Sequence, residues 1–146
     1  MNELNLIQQP GIDSLLEILN RERRLLVELE ARLWEMAALI ATERDLALVS
    51  AARQIAKLER QLGTTEVLRA VVVAGIADLW GEPEYDFSLR AIIQRSDPEK
   101  AIALRADLDE LLEITRSVDS LRLSIVGLAR ERLEAAHLAF GRAAAC

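Results

Sequence analysis

Near the end of the chain, a glutamate and a histidine, and a cysteine and the same histidine, lie close together in the sequence. Such combinations bind metals or carry out catalysis in other proteins. Glu134 and His137 have the Glu-x-x-His spacing of metal-binding helical bundles, because residues three apart share one face of a helix. Such a site needs two of these pairs and further carboxylates, and His137 is the only histidine. Cys146, the only cysteine, shares this terminal segment with His137, and no third residue is fixed between them. We therefore expect no metal site, no cofactor and no enzymatic activity.

Phosphate loops and buried arginines are the remaining candidates for chemistry. The six glycines are scattered along the chain, so no glycine-rich phosphate loop is present in the sequence. Arg122 and Arg132 lie near the apolar row of the last predicted helix. We interpret them as edge residues, with packed aliphatic stems and hydrated guanidinium groups, rather than as substrate ligands. An all-helical enzyme with inward-facing arginine and glutamate is the least favoured alternative.

Composition indicates a helical and acidic protein. Of 146 residues, 51% are apolar and 3% aromatic, and 26 Leu and 22 Ala are strong helix formers. The net charge of −6 argues against nucleic acid and anionic membrane surfaces as partners. The start of the chain does not resemble a secretory signal, and the longest apolar run, Ala70–Ala77, is too short to cross a bilayer. We expect a soluble cytoplasmic protein, without membrane insertion or internal disulfide.

Helical spacing of apolar residues predicts a single domain over residues 13–142. A flexible lead-in precedes it over 1–12, and a short C-terminal end follows over 143–146. The spacing of Ser14 to Glu17 predicts a capping box at the first helix start. Two places are candidates for the first turn, near Thr42 and near Gly63, and the sequence leaves both open.

Later signals are sharper. Trp80-Gly81 ends the middle helix and opens a loop over 81–86, because glycine suits a helix end and Pro83 cannot continue one. A short helix is predicted over Ser88–Gln94. Asp97-Pro98 predicts the start of a last helix reaching Phe140, about 40 residues and roughly 60 Å long. The predicted fold is all-α, an elongated bundle of about three long antiparallel helices plus one short connecting helix.

The last helix has more apolar residues than one narrow row requires. Four leucines flank its main apolar row: Leu112, Leu123, Leu133 and Leu138. Such a wide row either packs against two neighbouring helices or leaves part of its surface for a partner helix. The two large anchors, Trp34 and Trp80, are expected to pack in the core or against a loop.

The order of these segments resembles the FlgN family of flagellar type III export chaperones, in particular its actinobacterial form. The resemblance covers about residues 14–140 and rests on a succession of stretches. They are the leucine-, glutamate- and arginine-rich opening Leu15–Leu26, the small-residue step Ala41-Thr42 before Val49–Leu62, the stretch Leu68-Arg69-Ala70-Val71 that leads to the helix ending Ala77-Asp78-Leu79-Trp80-Gly81-Glu82-Pro83, the serine-led stretch Ser88-Leu89-Arg90-Ala91-Ile92, and the long final helix.

The resemblance implies a cytosolic chaperone that holds a terminal amphipathic segment of hook-associated proteins, which join hook to filament. Such a chaperone is expected to pass the hook-associated proteins to the export gate. Together with the excess of apolar residues, this indicates a protein-binding groove on the last helix, formed by Leu121, Ile125, Leu128, Leu133 and Phe140. A coiled-coil adaptor or homodimer with no flagellar role is the alternative.

Overall fold

The computed structural model describes residues 2–83 and 87–145, and this part of the chain is all-α, as predicted. Five helices follow one another: α1 (Glu3–Gln8), α2 (Ile12–Ala41), α3 (Asp45–Leu79), α4 (Leu89–Arg95) and α5 (Pro98–Ala145). The three long helices α2, α3 and α5 pack together around one apolar core. Cys146 and residues 84–86 of the predicted loop lie outside the described residues.

Helix α2 is the central element, packing along both α3 and α5. Ion pairs give the directions of the helices. Lys100 Nζ lies 2.9 Å from Asp13 Oδ1, so α2 and α5 start at the same end and run in parallel. Arg122 Nη2 lies 2.9 Å from Glu59 Oε1, and Arg132 pairs with Asp45, so α3 runs antiparallel to α5. Chain direction therefore alternates along the three long helices. We call the end that holds Asp13 and Lys100 proximal, and the end at the α2–α3 turn distal.

The first turn lies at residues 42–44, which decides between the two candidates that the sequence leaves open. Thr42 Oγ1 donates to the carbonyl oxygen of Ala38 at 2.9 Å, so its side chain closes α2 instead of capping a new helix. Glu43 adopts a left-handed φ of 56° and reverses the chain. Gly63 lies within α3.

The predicted end of the middle helix at Trp80-Gly81 and the predicted start of the last helix at Asp97-Pro98 are confirmed, whereas α5 continues past the predicted end at Phe140 to Ala145. Gly81, with a φ of 69°, follows the end of α3 and supplies the left-handed conformation that glycine adopts without strain. The Ser88 side chain caps α4 by accepting from Ala91 N–H, and Asp97 Oδ1 accepts from Lys100 N–H at 3.0 Å in the first turn of α5. Trp80 stacks edge-on against Phe87 with ring centroids 5.7 Å apart.

Three further local expectations differ from the structure. The predicted capping box is wrong, because α2 already starts at Ile12 and the Ser14 hydroxyl donates to the carbonyl oxygen of Gln9 at 2.9 Å. The segment 1–12 contains α1, which packs on α3 and buries Leu6 in the core. Trp34 is exposed, since it lies on a face of α2 that no other helix covers.

Two glycines of α3 differ in the space around them, which yields the first prediction. A Cβ at Gly75 would lie 2.9 Å from Cβ and Cγ of Pro10, whereas one at Gly63 would meet nothing within 4 Å. We expect Gly63→Ala to raise the free energy of unfolding by about 1 kcal/mol, the usual gain inside a helix. Gly75→Ala should instead lower it by about 1 kcal/mol, because the clash displaces Pro10 and α1. Urea denaturation of both variants tests the pair, and equal stabilisation would contradict the close approach.

Candidate protein-binding groove

An apolar groove lies at the distal end of the bundle, between the start of α3 and the C-terminal half of α5. We call it the distal groove; its volume is about 630 Å³. Side chains from three helices line it: Met36, Ile40, Asp45, Leu48, Val49, Ala52, Ile125, Ala129, Arg132, Leu133 and Ala136. All of these except Asp45 and Arg132 are apolar, so water in the groove finds few hydrogen-bond partners.

Each helix contributes a different part of the groove. Met36 and Ile40 form its floor and belong to the end of α2. Val49 on α3 and Leu133 on α5 are walls, with 52% and 71% of their surfaces exposed. Helices α3 and α5 both pack along α2 and make few close backbone contacts with each other. The α2 residues between them therefore remain accessible as the floor of the groove. An apolar floor with exposed apolar walls is the arrangement that accepts an amphipathic helix.

The groove has one polar element, an ion pair between its walls. Arg132 of α5 reaches Asp45 at the start of α3, and both residues line the groove. Beyond Arg132 lies a second, more polar cleft of about 590 Å³, whose lining includes Glu43, Leu128 and Glu131. The pair therefore joins α3 to α5, and Arg132 lines both the distal groove and the second cleft.

The C-terminal part of α5 projects past α2 because the two helices differ in length. Helix α5 has 48 residues and α2 has 30, which correspond to about 72 Å and about 45 Å. The two start together at Asp13 and Lys100, so α2 ends when α5 has reached the neighbourhood of Arg132. Every described residue of α5 from Leu133 onward is exposed, because no helix remains to cover it.

The five residues predicted as a groove occupy three different environments. Leu121 is 6% exposed and belongs to the core, so it is not part of an accessible surface. Ile125 and Leu133 line the distal groove, while the half-buried Leu128 lines the second cleft. Phe140 is 75% exposed and lies beyond both clefts on the projecting end of α5. The predicted row is continuous along α5, yet burial divides it.

Sequence reasoning missed the α3 wall of the groove. Leu48, Val49 and Ala52 are separated by steps of one, three and four residues, which place them on one side of a helix. This small cluster is a weak signal, because alanine and valine occur in many buried rows. Only the antiparallel α2–α3 turn brings it opposite Leu133 and Ala136.

The side chains of Arg122 and Arg132 are 46% and 27% exposed. Their guanidinium groups pair with Glu59 and Asp45 of α3, so each arginine links the two helices. His137 is exposed on the projecting part of α5. Within residues 2–83 and 87–145, no three His, Cys, Asp or Glu side chains converge as ligands for a metal ion.

A buried ion pair near the middle of the α2–α3 hairpin was also missed. Glu22 is 3% exposed, and Arg69 Nη1 lies 2.8 and 2.9 Å from its two carboxylate oxygens. Burial raises the pKa of Glu22, and the charge of Arg69 opposes this rise. The signal was present, because Glu22 falls between Leu19 and Leu26 in the three- and four-residue steps of the α2 core row.

No part of the described chain forms a helix with the length and apolar character that crossing a bilayer requires. Comparison of this chain with protein-family models, with curated proteins and with solved structures found no match.

Proposed function

We propose that this protein is a cytosolic export chaperone that binds terminal amphipathic segments of hook-associated flagellar proteins in the distal groove. The resemblance of its segment order to the FlgN family supplies the biological role. One observation carries the binding mode: three helices surround an apolar groove that the chain leaves open. The bound segment would be kept from aggregating until it passes to the export gate.

The dimensions of the groove suit a short helix. Its α5 wall extends from Ile125 to Ala136, which corresponds to about 16 Å along the helix axis. A bound helix of about three turns spans that distance. An interface of this length belongs to the small and transient class, which suits a chaperone that must release its cargo.

The chain covers part of α5 itself in the way proposed for the cargo. Helix α4 has seven residues and packs on the proximal part of α5 through Ile92 and Ile93, which are buried in the core. Arg95 at its end pairs with Glu82 and lies 4.9 Å from the ring of Trp80, at the end of α3. A short amphipathic helix of the chain therefore already packs on α5, and the distal groove is a second site on α5 where a helix of the cargo could pack.

Charges at the groove edge indicate what flanks the apolar face of the cargo. Arg53 is four residues after Val49, and Arg130 is three residues before Leu133, so each lies one turn from a wall residue. Both arginines are exposed, in a chain of net charge −6. Acidic residues beside the apolar face of a bound helix would be attracted by them.

Co-expression tests the proposal. The untagged chain is produced with each candidate hook-associated protein carrying an affinity tag, and the eluate is separated by size exclusion. We expect a one-to-one complex with at least one cargo, and no complex when the terminal amphipathic segment of that cargo is deleted. Failure of every hook-associated protein, or equal binding of the truncated cargo, would refute the assignment.

One observation supports the alternative of a homodimeric coiled-coil adaptor. The exposed end of α5 has an apolar row in steps of three and four residues, namely Val126, Ala129, Leu133, Ala136 and Phe140. Such a row can pair with a second copy of itself. Light scattering at low micromolar concentration separates the two functions, because an adaptor of this kind is an obligate dimer and the proposed chaperone is a monomer without cargo.

A further inference from the structure

A second concave site lies on a different part of the bundle and is rich in basic side chains. We call it the basic cleft; its volume is about 480 Å³. Residues of α1, α2 and α3 line it: Glu3, Arg21, Arg24, Leu25, Lys57, Arg60, Gln61, Thr64 and Thr65. It shares no lining residue with the distal groove, so conclusions about the two sites are independent.

The cleft concentrates positive charge in a negatively charged protein. Four basic side chains and one carboxylate, Glu3, line the cleft, while the whole chain has a net charge of −6. Arg21 pairs with Glu17 at 3.5 Å. Among residues 2–83 and 87–145, no ion pair within 4.0 Å involves Arg24, Lys57 or Arg60. Cations gathered in a cleft attract an anionic ligand more strongly than the same cations spread over a surface.

Helix geometry brings these groups together within a short distance. Arg21 and Arg24 are three residues apart on α2, and Lys57, Arg60 and Thr64 follow one face of α3 at steps of three and four. The lining covers about 6 Å along α2 and about 12 Å along α3. The positive charge is therefore compact in both directions.

We propose that the basic cleft binds a compact polyanion with two or more linked phosphate groups. Guanidinium groups match the planar geometry of phosphate oxygens and remain charged at every physiological pH. The Gln61 amide and the Thr64 hydroxyl add polar groups beside them. The volume is that of a small-molecule site. An extended acidic peptide fits less well, since its residues advance about 3.3 Å each and carry most of their charge past the basic groups.

Calorimetric titration of the full chain with inorganic triphosphate at 0.15 M salt tests the proposal. We expect saturable binding of one triphosphate per chain. The double variant Arg24→Gln/Lys57→Gln should bind about tenfold more weakly or worse, because two charge-assisted contacts are lost. The control Arg116→Gln/Arg142→Gln changes the net charge equally at exposed positions of α5 and should alter affinity less than twofold.

A variant that is expected to bind triphosphate more tightly distinguishes an effect on the cleft from an effect on folding. Glu3→Gln removes the one carboxylate of the cleft and should tighten triphosphate binding about threefold, a change that a damaged fold does not produce. Titration with ATP separates two sources of the phosphates: tighter binding of ATP indicates a nucleotide, and equal binding indicates the phosphate chain alone.

Three results would overturn the proposal. They are no saturable binding of triphosphate, equal weakening by the cleft and control variants, and tighter binding of an acidic decapeptide than of triphosphate. The last would identify the cleft as a docking site for an acidic protein segment.

Discussion

Replacing Val49 and Leu133 together by glutamate should abolish binding of the cargo segment. Both side chains are exposed walls of the distal groove, one on α3 and one on α5. A bound apolar helix would take both new carboxylates out of water against an apolar face that offers them no hydrogen-bond donor, at a cost of about 2 kcal/mol or more for each. We expect a loss of affinity of about 100-fold or more, measured by fluorescence anisotropy of a labelled cargo terminus.

The matched control is Val67→Glu/Leu123→Glu. These residues lie on the same two helices and are similarly exposed, but neither lines the groove. Its charge change is identical, and we expect affinity within twofold of the unmodified protein. Circular dichroism should be unchanged in both double variants, since all four side chains lie at the surface. Equal loss of binding in the two would place the binding site elsewhere.

Arg69→Met should destabilise the fold by about 2–3 kcal/mol at pH 7.5, because it leaves the carboxylate of Glu22 buried and unpaired. The value is below that of a fully buried pair, since 35% of the Arg69 side chain is exposed. The methionine retains most of the apolar stem of the arginine, so the loss of stability reflects the removal of the positive charge. Denaturation by urea, followed by circular dichroism, measures it.

The pH dependence of this loss has a defined sign. Burial raises the pKa of Glu22 in the folded protein above its usual value of 4.5. The folded state therefore binds the proton more readily than the unfolded chain, and this group's contribution to the free energy of unfolding falls as pH rises from 4.5 through the folded pKa. Removing Arg69 raises the folded pKa further, so the variant should lose less stability at pH 5 than at pH 7.5.

Two further variants complete this test. Glu22→Gln/Arg69→Met removes the buried charge and should recover at least half of the lost stability at pH 7.5. Arg122→Met breaks a more exposed pair between α3 and α5, and should cost at most about 1 kcal/mol with little dependence on pH. An equal loss for Arg69→Met at both pH values would show that Glu22 is not the group responsible.

Local signals in the sequence determined most of the secondary structure. Asp97-Pro98 and Ser88 start α5 and α4 because their side chains or ring satisfy the first turn of a helix, wherever that helix packs. Gly81 ends α3 for an equally local reason. The turn between α2 and α3 was not determined in this way, because a glycine inside a helix costs only about 1 kcal/mol. Packing outweighs that cost at Gly63.

The tertiary structure alone decided which apolar residues remain accessible. Leu121 and Leu133 belong to the same apolar region of α5, and nothing in their local sequence separates them. Leu121 is covered because α2 and α3 extend past it, and Leu133 is exposed because α5 is longer than α2. Burial depends on the neighbour and on the point where that neighbour ends. The periodicity of one helix reports its apolar face and leaves the length of its partners undetermined.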